Sequence, residues 1–311
     1  MIESFGRNLH KLRVQLLDAC NMRCNYCMPQ SPKFLPTEDL LQSDELIKIC
    51  SKLIGRGVDE IRLTGGEPLL RKDFIDIVVA LSKLPLKKLG VTTNALLLNK
   101  ALLKELSKTK LRHINISLDS LVADMFKVIT KRDEWDLVYK NILDAKAMGF
   151  EVKVNTVIMK DYNADEILDF ISFAERTGVH VRFLELMRVG PNNIDLSKQM
   201  VSMNEMIDKI SVYHSLQKCD APKDNTAKEF RTVSGAHIGF IASETQSFCS
   251  SCSRLRLTAK GELRSCLFRE DSVSLLGLND HEFDLAVNAI ANKKPLERIE
   301  SITQAMNVIG G

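Results

Sequence analysis

Eight cysteines stand in the 311-residue chain, and six of them fall in two tight groups. The first group reads Cys20-x3-Cys24-x2-Cys27 and the second Cys249-x2-Cys252-x13-Cys266. Glu3, Arg7, His10, Lys11 and Arg13 interrupt the first residues, so no secretory leader is expected there. A cytoplasmic chain of this size keeps its thiols reduced, and grouped thiols then read as metal ligands rather than disulfides. Three thiolates this close cannot share one face of a helix or strand, but they can wrap a compact cluster. Structural zinc calls for a fourth protein ligand, and neither His nor Cys follows nearby. A [4Fe–4S] cluster held by three cysteines keeps one iron open. Cys50 shares the apolar stripe of Leu46 and Leu53 and reads as core, while Cys219 sits alone in a polar stretch.

Other polar residues recur at one kind of place. Thr64-Gly65-Gly66-Glu67-Pro68, Thr92-Thr93-Asn94, Ser117-Leu118-Asp119, the pair Lys153 and Asn155, and the pair Glu185 and Met187 each lie on or just after a short apolar run. Singly, each has an ordinary explanation as a turn, a helix cap, core packing or a solvated charge. Their shared position is the signal.

The elements that carry them alternate. Strands are expected at Arg13–Leu17, Glu60–Leu63, Lys88–Thr92, His113–Ser117, Glu151–Val157 and His180–Leu186. Segments of helical period lie between them at Asp44–Ile54, Asp73–Leu84, Lys100–Ser107, Asp136–Met148 and Asp165–Arg176. Such alternation predicts an α/β fold, an incomplete (β/α)6 barrel of the TIM type with outer helices. In such barrels the reacting groups gather at the C-terminal ends of the strands. After Met187 the rhythm breaks. A helix at Asn204–Val212 and strands at Glu229–Val233 and His237–Ile241 precede the second cysteine group. This divides the chain into a barrel over 1–216 and a C-terminal extension over 217–311 with its own metal site.

The net charge of +3 gives no case for a nucleic-acid coat, and no apolar run is long enough to span a bilayer. Neither nucleic acid nor membrane is expected as a partner.

The first cysteine group, Tyr26 before its last cysteine, and Gly65-Gly66-Glu67-Pro68 resemble the radical S-adenosylmethionine (SAM) superfamily. The second cysteine group, Arg254-Leu255-Arg256, and the closing Gly310-Gly311 narrow the resemblance to its GTP 3′,8-cyclase family, over essentially the whole chain. That family is six-stranded, in accord with the count. The resemblance implies a lyase of molybdenum cofactor biosynthesis with two [4Fe–4S] clusters, on Cys20, Cys24 and Cys27 and on Cys249, Cys252 and Cys266. Tyr26, Gly66, Ser117 and Met187 would face SAM. Arg13, Arg62, Thr93, Lys153, Arg254, Leu255 and Arg256 would face GTP, with Arg182 a further phosphate contact. Gly310 and Gly311 would act in the reaction, the tail being expected to make no packed contact. A reduced flavodoxin or ferredoxin would donate electrons, the product would pass to cyclic pyranopterin monophosphate synthase, and a homodimer is compatible with the family. Three residues depart from its pattern: Ala19 for arginine, Ala95 for glycine, and Glu60 where a lysine is common. Two other readings bracket this one. One is a peptide- or haem-modifying radical SAM enzyme with an auxiliary cluster, and the other a non-enzymatic metal-binding module.

Overall fold

Alternation along the first strand decides the architecture: Leu12 and Val14 point to one side, Arg13 and Gln15 to the other. The computed structural model describes residues 1–190, 195–298 and 304–310. Strands β1 (Lys11–Gln15), β2 (Glu60–Thr64), β3 (Lys88–Thr93), β4 (Leu111–Ser117), β5 (Glu151–Ile158) and β6 (His180–Glu185) pair in that order, all parallel. The crossovers carry helices α1 (Ser43–Ile54), α2 (Phe74–Ser82), α3 (Lys100–Ser107), α4 (Ala123–Thr130), α5 (Trp135–Ala147) and α6 (Ile167–Thr177). The six expected strands and five expected helices are all present, and α4 is an addition in the β4–β5 crossover. Each helix buries an apolar stripe against the sheet. On α1 it is Leu46, Ile49, Cys50 and Leu53, which places Cys50 in the core as expected.

The C-terminal residues do more than pack on this barrel. After the short α7 (Leu196–Gln199) and α8 (Met203–Ser211) come β7 (Leu216–Lys218), β8 (Lys228–Thr232) and β9 (His237–Ile241). Then follow β10 (Arg254–Leu257), β11 (Glu262–Arg264), β12 (Ser272–Ser274), α9 (Asp280–Ala291) and α10 (Met306–Ile309). One sheet runs β12-β11-β10-β1-β2-β3-β4-β5-β6-β9-β8-β7. β10 joins β1 and β9 joins β6, both in parallel, so the extension lengthens the barrel wall at both edges. The register explains why β10 fits. Leu255 lies beside Leu12 and Leu257 beside Val14, continuing the core layer, while Arg256 lies beside Arg13 on the inner face.

Candidate active site

The first cysteine triad leaves β1 on a loop held by close backbone approach. The Gly66 amide donates to Leu17 O (2.8 Å), and the Glu67 amide donates to Ala19 O (2.8 Å). A Cβ at Gly66 would sit 2.3 Å from Ala19 O and 2.4 Å from Asp18 O, so only glycine lets this loop lie against the cysteine loop. Glu67 itself is buried. Its carboxylate accepts from Thr93 Oγ1 (2.7 Å), Asn94 N (2.7 Å) and Leu69 N (3.0 Å), tying the β2 and β3 loops together. Burial lifts its pKa to about 7 against those three bonds. Asn94 reaches back with its amide to Asn21 Oδ1 (2.7 Å) and towards Cys20 Sγ (3.7 Å). Tyr26 donates to Asp119 Oδ2 (2.8 Å), whose other oxygen accepts from Val157 N (2.9 Å).

The second triad lies on the loop into β10 and beyond β11. Burial pushes the Cys252 thiol up, but the Arg254 guanidinium and the Lys294 ammonium outweigh it and bring the thiol to about 6. Both triads, with Tyr26, Gly66, Ser117 and Met187, line one cavity of about 270 Å³. Each triad offers three thiols, and no histidine is among the described residues that line the cavity, a donor set that suits an iron–sulfur cluster with one open iron better than a four-coordinate structural zinc.

Basic side chains run around the inner wall between the triads. Arg13 on β1, Arg62 on β2, Lys153 on β5, Arg182 on β6, and Arg254 and Arg256 on β10 contribute. Among the described residues, none of the six is in an ion pair with a carboxylate within 4 Å. Burial, and then the charges of Arg256, Arg254, Arg62 and Arg182, push the Arg13 pKa down. Buried Arg182 Nε and Nη2, Asn155 Oδ1, Ser243 Oγ, Ser265 Oγ and Asn307 Oδ1 lie at this wall or cavity without a hydrogen-bond partner. Stranded donors and acceptors beside cations that have no carboxylate partner suit an anionic, polyfunctional ligand.

Some expected site residues lie elsewhere. Arg62 and Lys153 are not among the residues that line the cavity; Lys153 stands a two-residue step below Asn155, on the level of His180. Leu255 turns the opposite way from its arginine neighbours and is fully buried in the core. Thr93 lines the cavity, but its hydroxyl is engaged by Glu67 and by the Ala95 amide (3.0 Å). The tail is a correction. Gly310 is buried with φ +68°, and Arg256 donates to its carbonyl oxygen. Gln15 Nε2 donates to Asn307 O (2.8 Å), and Ile309 packs against Val189, Leu267 and Phe268. Gly311 lies outside the described residues. Asn307, Arg264, Ser265 and Lys294 were not anticipated. Nothing in the local Lys293-Lys294 pair marks a buried cation, and no periodicity marks a four-residue helix at a chain end.

A partial parallel barrel with a three-cysteine loop after its first strand and a second triad facing it defines a cluster-bearing barrel enzyme. The Radical SAM superfamily pattern matches residues 14–174, and the Molybdenum Cofactor Synthesis C pattern matches 179–298. A GTP 3′,8-cyclase of Synechocystis is 40% identical over 100% of this chain and 95% of its own length. The human molybdenum cofactor biosynthesis protein 1 is 39% identical over 99% of this chain and 50% of its own. The crystal structure of Streptococcus suis SuiB bound to its precursor peptide superposes with a TM-score of 0.65 at 13% identity. It covers 94% of this chain and 66% of that one, a likeness of fold. The chain belongs to the radical SAM superfamily and, within it, to the GTP 3′,8-cyclases of molybdenum cofactor biosynthesis.

Proposed function

We propose that the chain rearranges GTP to 3′,8-cyclo-7,8-dihydro-GTP, with Cys20, Cys24 and Cys27 holding the cluster that activates SAM. The observation that carries this reading is the group of four arginines, Arg13, Arg182, Arg254 and Arg256, that line one cavity with both cysteine triads and have no carboxylate partner among the described residues. Cys20, Cys24 and Cys27 would hold a [4Fe–4S] cluster, which would supply the one-electron chemistry that cleaves SAM and allows hydrogen to be taken from C3′ of GTP. Cys249, Cys252 and Cys266 would hold a second [4Fe–4S] cluster, which would supply a binding point for the nucleotide base.

The chain's own residues do the positioning. Gly66 brings its backbone beside the cysteine loop, where the SAM amino group is received, and Glu67 keeps that loop rigid through three bonds. Tyr26 is fixed by Asp119 and closes one side. Arg13, Arg62, Lys153 and Arg182 neutralise the triphosphate, whose charge relieves their mutual repulsion. Arg254 and Arg256 hold the nucleotide at the second triad, and Arg256 also grips the tail at Gly310. Both reacting carbons belong to one ligand, so fixing its shape and excluding water is the main task. A flavodoxin- or ferredoxin-type donor supplies electrons, and cyclic pyranopterin monophosphate synthase consumes the product.

The test is anaerobic incubation of the reconstituted protein with SAM, a reductant and GTP deuterated at C3′. Deuterium should appear in 5′-deoxyadenosine together with a new compound isomeric with GTP. Unlabelled 5′-deoxyadenosine with GTP unchanged would overturn the assignment.

A further inference from the structure

Lys294 is 3% exposed and follows α9, far in sequence from every cysteine. Its ammonium has three protons, and the structure supplies three acceptors. Nζ donates to Arg254 O (2.6 Å) and to Ser265 O (2.8 Å), and the Cys252 sulfur is its third neighbour. Arg254 lies two residues after Cys252, and Ser265 immediately precedes Cys266. One buried cation therefore joins the two segments that carry those cysteines.

The turn bearing Lys294 is itself held. Arg7 donates through Nη2 to Lys294 O (2.8 Å) and through Nη1 to Pro295 O (2.8 Å) and Cys249 O (2.9 Å). Arg7 is fixed in turn by buried Glu3, whose Oε1 accepts from its Nε at 3.0 Å. Each of the three cysteine segments is thus tied to one brace, made from the N-terminal residues and the turn after α9.

We propose that Lys294, seated by Arg7, is the positioning residue of the second triad, holding its three thiolates at cluster spacing and offsetting the cluster's negative charge. This rests on the two-cluster reading above. A compact ammonium suits the role better than a guanidinium, because its three donors diverge tetrahedrally towards two carbonyls and a sulfur. A cation beside a cluster also raises its potential, since reduction adds negative charge.

Lys294→Met keeps the length of the side chain and removes the charge and all three donors. Three measurements on the reconstituted full-length protein decide the matter: iron and sulfide content, the rate of iron loss to a chelator, and the midpoint potential of each cluster. Wild-type protein should hold about eight irons. Lys294→Met should lose the second cluster to chelator about 10–100-fold faster, as outer-shell substitutions do at metal sites. The potential of any second cluster that remains should be lower than in wild type, while the first cluster still cleaves SAM. Wild-type chelation rate and potential in Lys294→Met would overturn the proposal. About four irons in the wild type itself would instead overturn the two-cluster reading. Should Lys294→Met fail to fold, Lys294→Arg decides: faster iron loss with little change in potential supports the clamp, and a wild-type rate overturns it.

Discussion

The two cysteine triads share a cavity and a ligand count but not an electrostatic setting. Around the first, burial raises the Cys20 thiol to about 11 and the Cys27 thiol to about 12, and the Asp119 carboxylate adds to the rise at Cys24 and Cys27. Around the second, burial still raises the Cys249 thiol, but Arg254 and Lys294 bring Cys252 down to about 6 despite its burial. On the proposed reading the first triad receives a sulfonium cofactor that brings positive charge of its own, whereas the second holds an anionic cluster beside the arginines that take the nucleotide. The barrel builds both settings by drawing its carboxylates from the β2 and β4 loops and its cations from the strand interiors and β10.

Serine substitutions split the triads most sharply. Cys24→Ser should abolish 5′-deoxyadenosine formation, because the first cluster loses an anchor and SAM its iron. Normal SAM cleavage in that variant would show that the loop is not the cofactor site. Cys266→Ser should leave the first cluster's spectrum and some uncoupled SAM cleavage in place while conversion of GTP collapses. Loss of both clusters' signals together would show that the triads form one cooperative unit, and the comparison would fail.

Alkylation of the metal-free protein sharpens the comparison without touching catalysis. At pH 7 a thiol of pKa about 6 is mostly thiolate, while one near 11 is thiolate in about one molecule in ten thousand. The lower nucleophilicity of the more acidic thiol takes back part of that gap, leaving a rate advantage of about a hundredfold. Iodoacetamide should therefore modify Cys252 well before Cys20 or Cys27. Between pH 7 and 9 the Cys252 rate should stay flat and the other two should climb about tenfold per unit. Peptide mass analysis at timed quenches reads this directly, and equal rates would erase the proposed electrostatic contrast.

Much of the first region is legible in the sequence, and much of the second is not, for a physical reason. Cys20, Cys24 and Cys27 lie within one loop, and Gly65-Gly66-Glu67-Pro68 follows a plainly alternating strand, so local pattern is enough. The second region is assembled from distant pieces. β10 shows its place only once Leu255 and Leu257 are set beside Leu12 and Val14, a pairing across more than two hundred residues. Lys294 sits in Asn-Lys-Lys-Pro, which reads as solvated charge until Arg254 O and Ser265 O are brought to it. Leu255 shows the limit of carrying a motif over whole: it lies between two inward arginines and turns away from both.

The smallest expected effect on stability concerns two left-handed backbone positions, one beside each triad. Gly310 at φ +68° occupies such a position by the second triad, and glycine adopts it without steric cost. By the first triad the same requirement falls on Ala95, which is fully buried at φ +62° and carries a Cβ that this conformation disfavours. Its neighbours hold it there: the Ala95 amide donates to Thr93 Oγ1 (3.0 Å), and its carbonyl accepts from Asn141 Nδ2 (2.8 Å). Ala95→Gly should remove about 1 kcal/mol of strain, partly offset by the greater freedom of glycine in the unfolded chain. The net gain should be a few tenths of a kcal/mol to about 1 kcal/mol, a rise in Tm of no more than about 3 °C for a chain of this length. Gly310→Ala should go the other way, because its Cβ would add backbone strain and stand 3.0 Å from Gln15 Cβ. Gln15 holds the tail at Asn307 O, so that variant should also lose GTP conversion while SAM cleavage persists. Paired thermal scans of the two variants check the opposite signs. A fall in Tm for Ala95→Gly would mean that the methyl group's packing at Ala95 outweighs its backbone strain.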